Sequence, residues 1–125
     1  MPPSAPAPGH AAPDVLPERL GEAARQSLEV SRDAALGAEV TVARARYGAV
    51  RLAVTDFGTR EMIERMGYGW SLSQPADPAW GAPVQRDTWA DSATVRLVEG
   101  TRLVEATAPT PEAAESAMRA YRSRR

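Results

Sequence analysis

The chain has no cysteine and no lysine: all fifteen of its basic residues are arginine, and its one histidine, His10, lies in a Pro/Ala-rich opening stretch. Without cysteine there is no disulfide framework, no thiolate nucleophile and no Cys/His metal centre. Without lysine there is no Schiff-base amine and no phosphate-loop lysine. A single histidine outside the apolar pattern leaves no Ser-His-Asp triad held in a packed core. Chemistry would have to come from carboxylates, hydroxyls, tyrosine and arginine. No apolar run approaches the roughly 20 residues that a membrane-spanning helix needs.

What is present is ordinary for a globular domain. Of the 125 residues, 43% are hydrophobic and 25% charged, enough to bury a core without staples. A net charge of −1 gives no general electrostatic case for nucleic acid or an anionic membrane. Met1 to Pro6 lacks the charged and apolar regions of a signal peptide. The expectation is a cytoplasmic protein, or a periplasmic or cell-envelope one whose export segment has been removed. Residues 1–13, rich in Pro, Ala and Gly, read as a disordered arm that would serve as a tether. Residues 14–125 read as one domain.

Along that domain, Leu16, Leu20, Ala23, Ala24 and Leu28 fit a helical face. A short helix or turn is expected over Pro17 to Ala24, then extended chain, with Ser27 to Val30 as an alternative edge strand. Ser31 to Gly37 reads as a turn. Ala38 to Tyr47 and Val50 to Phe57 alternate in polarity around Gly48, a β-hairpin. Thr59 is placed to cap a helix from Arg60 to Met66, with Met62, Ile63 and Met66 on one face and Glu61–Arg65 as an i,i+4 pair. Tyr68 to Arg86 is irregular, with several Gly and Pro. Strands follow at Asp87 to Ala90, Ala93 to Val98 and Arg102 to Ala108. A last helix opens at Thr110-Pro111-Glu112, presenting Ala113, Ala114, Ala117, Met118 and Tyr121 inward. This order predicts an α+β domain: an antiparallel sheet of four to six strands with two helices packed on one face. No internal repeat is visible.

The run Leu16-Pro17-Glu18-Arg19-Leu20-Gly21, the strand end Tyr47-Gly48, and Val54-Thr55-Asp56-Phe57-Gly58 resemble a group of exported or lipoprotein-type bacterial domains of unassigned function. The element order also resembles, in topology only, the PsbP/Mog1-like fold. These resemblances imply a periplasmic or surface-associated accessory protein and bring no catalytic residues with them.

Candidate sites follow from residue type. Asp56-Phe57-Gly58 matches a kinase metal motif by letter, but the lysine and the loops that motif needs are missing, so a turn is expected there. Asp56, Glu61 and Glu64 would serve a carboxylate-dependent hydrolase only if they converged. Asp77, Asp87 and Asp91 lack the spacing of a cation loop, and neither metal nor cofactor is expected. The arginines at the C-terminus suit the negative end of a helix dipole better than a phosphate backbone. Tyr68, Trp70, Trp80 and Trp89 are the foremost candidates. Aromatic residues on a Pro-stiffened loop make contact surface at low entropic cost. The first expectation is therefore a non-enzymatic accessory or binding subunit that docks a protein partner through Tyr68 to Trp89. The second is a small-ligand domain gripping an anionic or aromatic ligand through Arg51, Arg86 or Arg96 with Trp70.

Overall fold

The structure is a computed structural model that describes residues 16–35 and 38–123. The expected N-terminal arm, the Leu36-Gly37 turn and the last two arginines lie outside the described residues. Strands β1 (Arg19–Leu20) and β2 (Ala23–Ala24) form a small hairpin. The main sheet takes β3 (Ser27–Ala35), β4 (Ala38–Tyr47), β5 (Val50–Asp56), β6 (Val84–Thr88), β7 (Ala93–Glu99) and β8 (Arg102–Ala108). Helices α1 (Arg60–Arg65) and α2 (Trp70–Ser73) follow β5, and α3 (Pro111–Arg122) follows β8. The sheet order is β3-β4-β5-β8-β7-β6, every neighbour antiparallel. The expected α+β class and antiparallel sheet are present, with six strands. They are two three-strand meanders joined through β5 and β8, a repeat of topology that the sequence does not display.

The meanders close where glycine allows it. Gly48 between β4 and β5, and Gly100 between β7 and β8, both have φ of +62°, the left-handed region that side chains with a Cβ avoid. Helix starts follow the sequence. Thr59 Oγ1 accepts from the Met62 amide at 3.2 Å, and Thr110 Oγ1 from the Ala113 amide at 3.2 Å, with Pro111 in the first turn.

The alternation of each strand sends its residues to two faces. One face is roofed by α3 and β1–β2. Tyr47, Leu52, Val54, Leu97, Val104, Met118 and Tyr121 lie there, each no more than 1% exposed. Burying each of the larger side chains is worth about 1.5–3 kcal/mol. The opposite face is covered at one end only, where Val40 and Leu103 pack with Phe57 and with Met62 and Ile63 of α1.

Five expectations are corrected. Of the helix or turn expected over Pro17 to Ala24, the helix is absent and the turn, at Gly21-Glu22, closes a β-hairpin. Gly21 takes φ of +61° at its turn, and Leu16 and Leu20 are drawn into the α3 core, beyond what a marginal short helix could offset. Ser31 to Ala35 is not a turn but the far half of β3, paired residue by residue with β4 as far as Ala35↔Ala38; the partner strand overrides local preference. The sixth strand is Val84–Thr88 rather than Asp87 to Ala90, because its register opposite β7 begins at Val84↔Leu97. The helices lie on opposite faces rather than one, because α1 carries its own apolar pair to the second face. Met66, expected inward, caps α1 and is 38% exposed.

Candidate functional site

The uncovered part of the second face can be read row by row from the strand registers. Across the whole sheet, one row runs Ser27, Arg46, Arg51, Thr107, Thr94, Asp87. The next runs Glu29, Arg44, Ala53, Glu105, Arg96, Gln85. The third, nearest α1, turns apolar with Val42, Leu103 and Val98. Each central strand therefore changes character along this face: Val40 and Val42 give way to Arg44 and Arg46 on β4, and Leu103 to Glu105 and Thr107 on β8.

Ala53 sits at the centre of the second row with Arg44 and Glu105 directly opposite it on either side. Its single methyl leaves a hollow of about 360 Å³ over the middle of the sheet, walled by Arg44, Arg46, Arg51, Arg96, Glu105 and Thr107. Two of those arginines are compensated. Arg44 lies 3.9 Å from Glu29. Arg96 donates from Nε to Glu105 at 2.7 Å and from Nη1 to Asp87. Burial opposes the charge of Arg96, but its bonds to Glu105 and Asp87 outweigh this and hold its pKa above the ordinary arginine value. The other two arginines are not compensated. Arg46 donates from Nε to the Gly48 carbonyl at 3.3 Å and meets no carboxylate among the described residues. The side chain of Arg51 has no hydrogen bond or ion pair among the described residues. Arg46 and Arg51 are direct cross-strand partners. Like charges so placed destabilise a sheet, and among the described residues only the Arg46 bond to Gly48 is set against that cost.

Tyr68 stands between the apolar end and the hollow. Its ring packs 5.5 Å from Phe57. Burial pushes its phenol pKa up, the charge of Glu105 pushes the same way, and Arg96 opposes them.

The aromatic residues singled out from sequence do not form one surface. Trp80 is 5% exposed and belongs to the α3 core. The guanidiniums of Arg119 and Arg122 lie 5.1 and 5.9 Å from its ring centroid, and Arg122 Nη1 donates to its carbonyl at 2.6 Å. This corrects the expectation of Trp80 as a contact residue, since its ring is withheld from any partner. Trp70 is half-buried in α2 and does not line the hollow. Trp89, 54% exposed, projects at the β6–β7 turn, at the opposite end of the strands from α1.

Of the three arginines proposed for a ligand, Arg51 and Arg96 meet at the hollow. Arg86 does not: it lies on the α3 face, bonded to Asp77 and Glu115 at 3.3 Å each. Burial opposes its charge, and the bonds to those carboxylates raise its pKa. Arg44 and Arg46 were not singled out. The legible signal was the Val-x-Val-x-Arg-x-Arg run of β4, in which one strand face passes from apolar to basic.

The carboxylates do not converge. Asp56 accepts from the Gly58 amide at 2.9 Å, from Thr101 Oγ1 at 3.0 Å and from Arg102 Nε at 3.2 Å. It locks the end of β5 to β8. Glu61 faces solvent 3.5 Å from Arg65. Among the described residues no cluster of three or more metal-ligating side chains occurs, and no helix is long and apolar enough to cross a membrane. Comparison with protein-family models, with curated proteins and with solved structures finds no match. Fold and site together define an antiparallel α+β domain with one roofed sheet face and one open, arginine-lined face.

Proposed function

We propose that this is a non-enzymatic binding domain that takes a small anionic ligand in the hollow over Ala53. The observation that carries the reading is the uncompensated Arg46–Arg51 pair at the edge of a concave, otherwise charge-balanced surface. A hollow of about 360 Å³ is of the size that holds a metabolite, and guanidiniums match the planar or tetrahedral oxyanions such molecules carry. The envelope location implied by the Leu16–Gly21 phrase remains part of this proposal, and fractionation of the full natural chain tests it.

A thermal-shift screen of anionic metabolites checks the central reading. At least one class should raise Tm in the wild type in a concentration-dependent way. The shift should vanish in Ala53→Leu, which fills the hollow while leaving both arginines in place. Equal shifts in both proteins would refute it.

Trp89 supports a second reading, a protein partner docked at the β6–β7 turn, since an indole more than half exposed is a costly thing to leave in water. Loss of a co-purifying partner in Trp89→Ala, with the fold intact, would support that reading; undiminished recovery would end it.

A further inference from the structure

We propose that the Arg46–Arg51 pair is a site for a tetrahedral dianion, the phosphate of a small phosphomonoester. This rests on the anionic-ligand reading above and narrows it to one ligand chemistry. Every carboxylate lining the hollow is already engaged, Glu29 by Arg44 and Glu105 by Arg96. Asp87, in the same row as the pair, is engaged by Arg96. Arg46 and Arg51, cross-strand partners on this face, meet no carboxylate among the described residues. A monocarboxylate would neutralise only one of them; a phosphomonoester, which carries close to two negative charges at neutral pH, neutralises both.

The donors fit the same group. The row that holds the pair reads Ser27, Arg46, Arg51, Thr107, a hydroxyl on either side of two guanidiniums. Each guanidinium presents a rigid fork of N–H donors, and among the described residues only the Nε of Arg46 is spent. The Thr107 hydroxyl lies 2.9 Å from that of Thr94. Thr94 is buried, so a proton donated from Thr94 to Thr107 leaves the Thr107 O–H free to point into the hollow. A tetrahedral group with three terminal oxygens uses such a set; a carboxylate with two leaves donors idle. Ala53 in the next row gives the ester's organic portion its room, and Tyr68 lies beyond it towards α1.

Isothermal titration of the full chain with inorganic phosphate, phenyl phosphate and acetate tests this, in a buffer free of other oxyanions. Both phosphates should bind, phenyl phosphate more tightly because its ring enters the hollow. Acetate should bind at least about tenfold more weakly. Affinity for phenyl phosphate should climb as pH rises through about 6, where its second proton leaves, and that for inorganic phosphate at a somewhat higher pH. Arg46→Gln and Arg51→Gln should each cost about tenfold or more, whereas Arg32→Gln, which removes a cation from the other face of β3, should cost nothing. Arg51→Lys should fall between, since it keeps the charge and loses the fork. Inorganic phosphate binding as tightly as phenyl phosphate would assign the site to the free ion and overturn the ester. Acetate binding as well as phosphate, with no pH dependence near 6, would overturn the dianion and leave the anionic-ligand reading standing. No binding of any of the three, or indifference to Arg51→Gln, would remove this inference; the metabolite screen with Ala53→Leu then decides the broader reading separately.

Discussion

Replacing Arg51 with threonine should stabilise the protein. The Arg51 side chain is exposed, makes no hydrogen bond or ion pair among the described residues, and faces Arg46 directly across the β4–β5 ladder. Directly opposed residues hold their Cβ atoms about 4.5–5.5 Å apart. Guanidiniums that splay to about 7 Å repel by about 0.6 kcal/mol in water. At 0.1 M salt the Debye length of about 10 Å reduces this by roughly half. Threonine adds a few tenths of a kcal/mol through its preference for a pleated surface. The sum is a gain of about 0.3–1 kcal/mol, in the range measured for cross-strand pairs, or about 1–6 °C in Tm for a domain of this size. The assay is urea and thermal unfolding of wild type and Arg51→Thr in a buffer without phosphate or sulfate. The repulsive part of the gain should fade towards 1 M NaCl, where screening acts over about 3 Å. A clear loss of stability at low salt would refute the reasoning and mean that Arg51 does structural work; a gain indifferent to salt would refute the repulsion and leave only the preference of threonine for a strand. Binding residues that cost stability are common where a site is kept for function.

The other predictions concern the aromatic residues. Trp80→Ala should destabilise by about 3–5 kcal/mol, the range for truncating a buried ring, while Trp89→Ala should stay within about 0.5 kcal/mol of wild type; denaturant unfolding separates them, and equal effects would contradict the burial assigned to Trp80. Tyr68 has a raised folded pKa, so its contribution is fully present below pH about 10 and is lost as pH climbs through the folded value. Wild type should therefore lose more stability between pH 9 and 11 than Tyr68→Phe, read as the difference in Tm; identical alkaline profiles would contradict the placement of its phenol beside Glu105.

Much of the architecture was legible because local chemistry and tertiary packing agree. The Thr59 and Thr110 caps, Pro111 in the first turn, and the alternation on either side of Gly48 each name their own element. Where the two disagree, packing wins. Leu16 and Leu20 are spaced for a helix, yet Tyr47 anchors this segment through a 2.6 Å bond from its hydroxyl to the Pro17 carbonyl, and the chain folds as a hairpin. Ser31 to Ala35 carries turn-forming residues, but the ladder to β4 extends it. The site was half legible. Arg51 and Arg96 were singled out as cations, but their meeting with Arg44 and Arg46 depends on which strands are neighbours, and β5 pairs with β8 across a sequence separation of about fifty residues. Trp80 misled because its flanking Pro and Gly read as an exposed loop, while the loop in fact folds its ring beneath α3.

The account stands on the open face of the sheet as the place where this protein meets its ligand. A ¹H–¹⁵N titration with an anionic metabolite that raises Tm in the thermal-shift screen tests that most directly. The amides of Arg46, Arg51, Ala53 and Thr107 should move together and saturate with one another, while those of α3 stay still. Shifts confined to the Arg119–Ser123 end of the chain, or none on the open face, would contradict it.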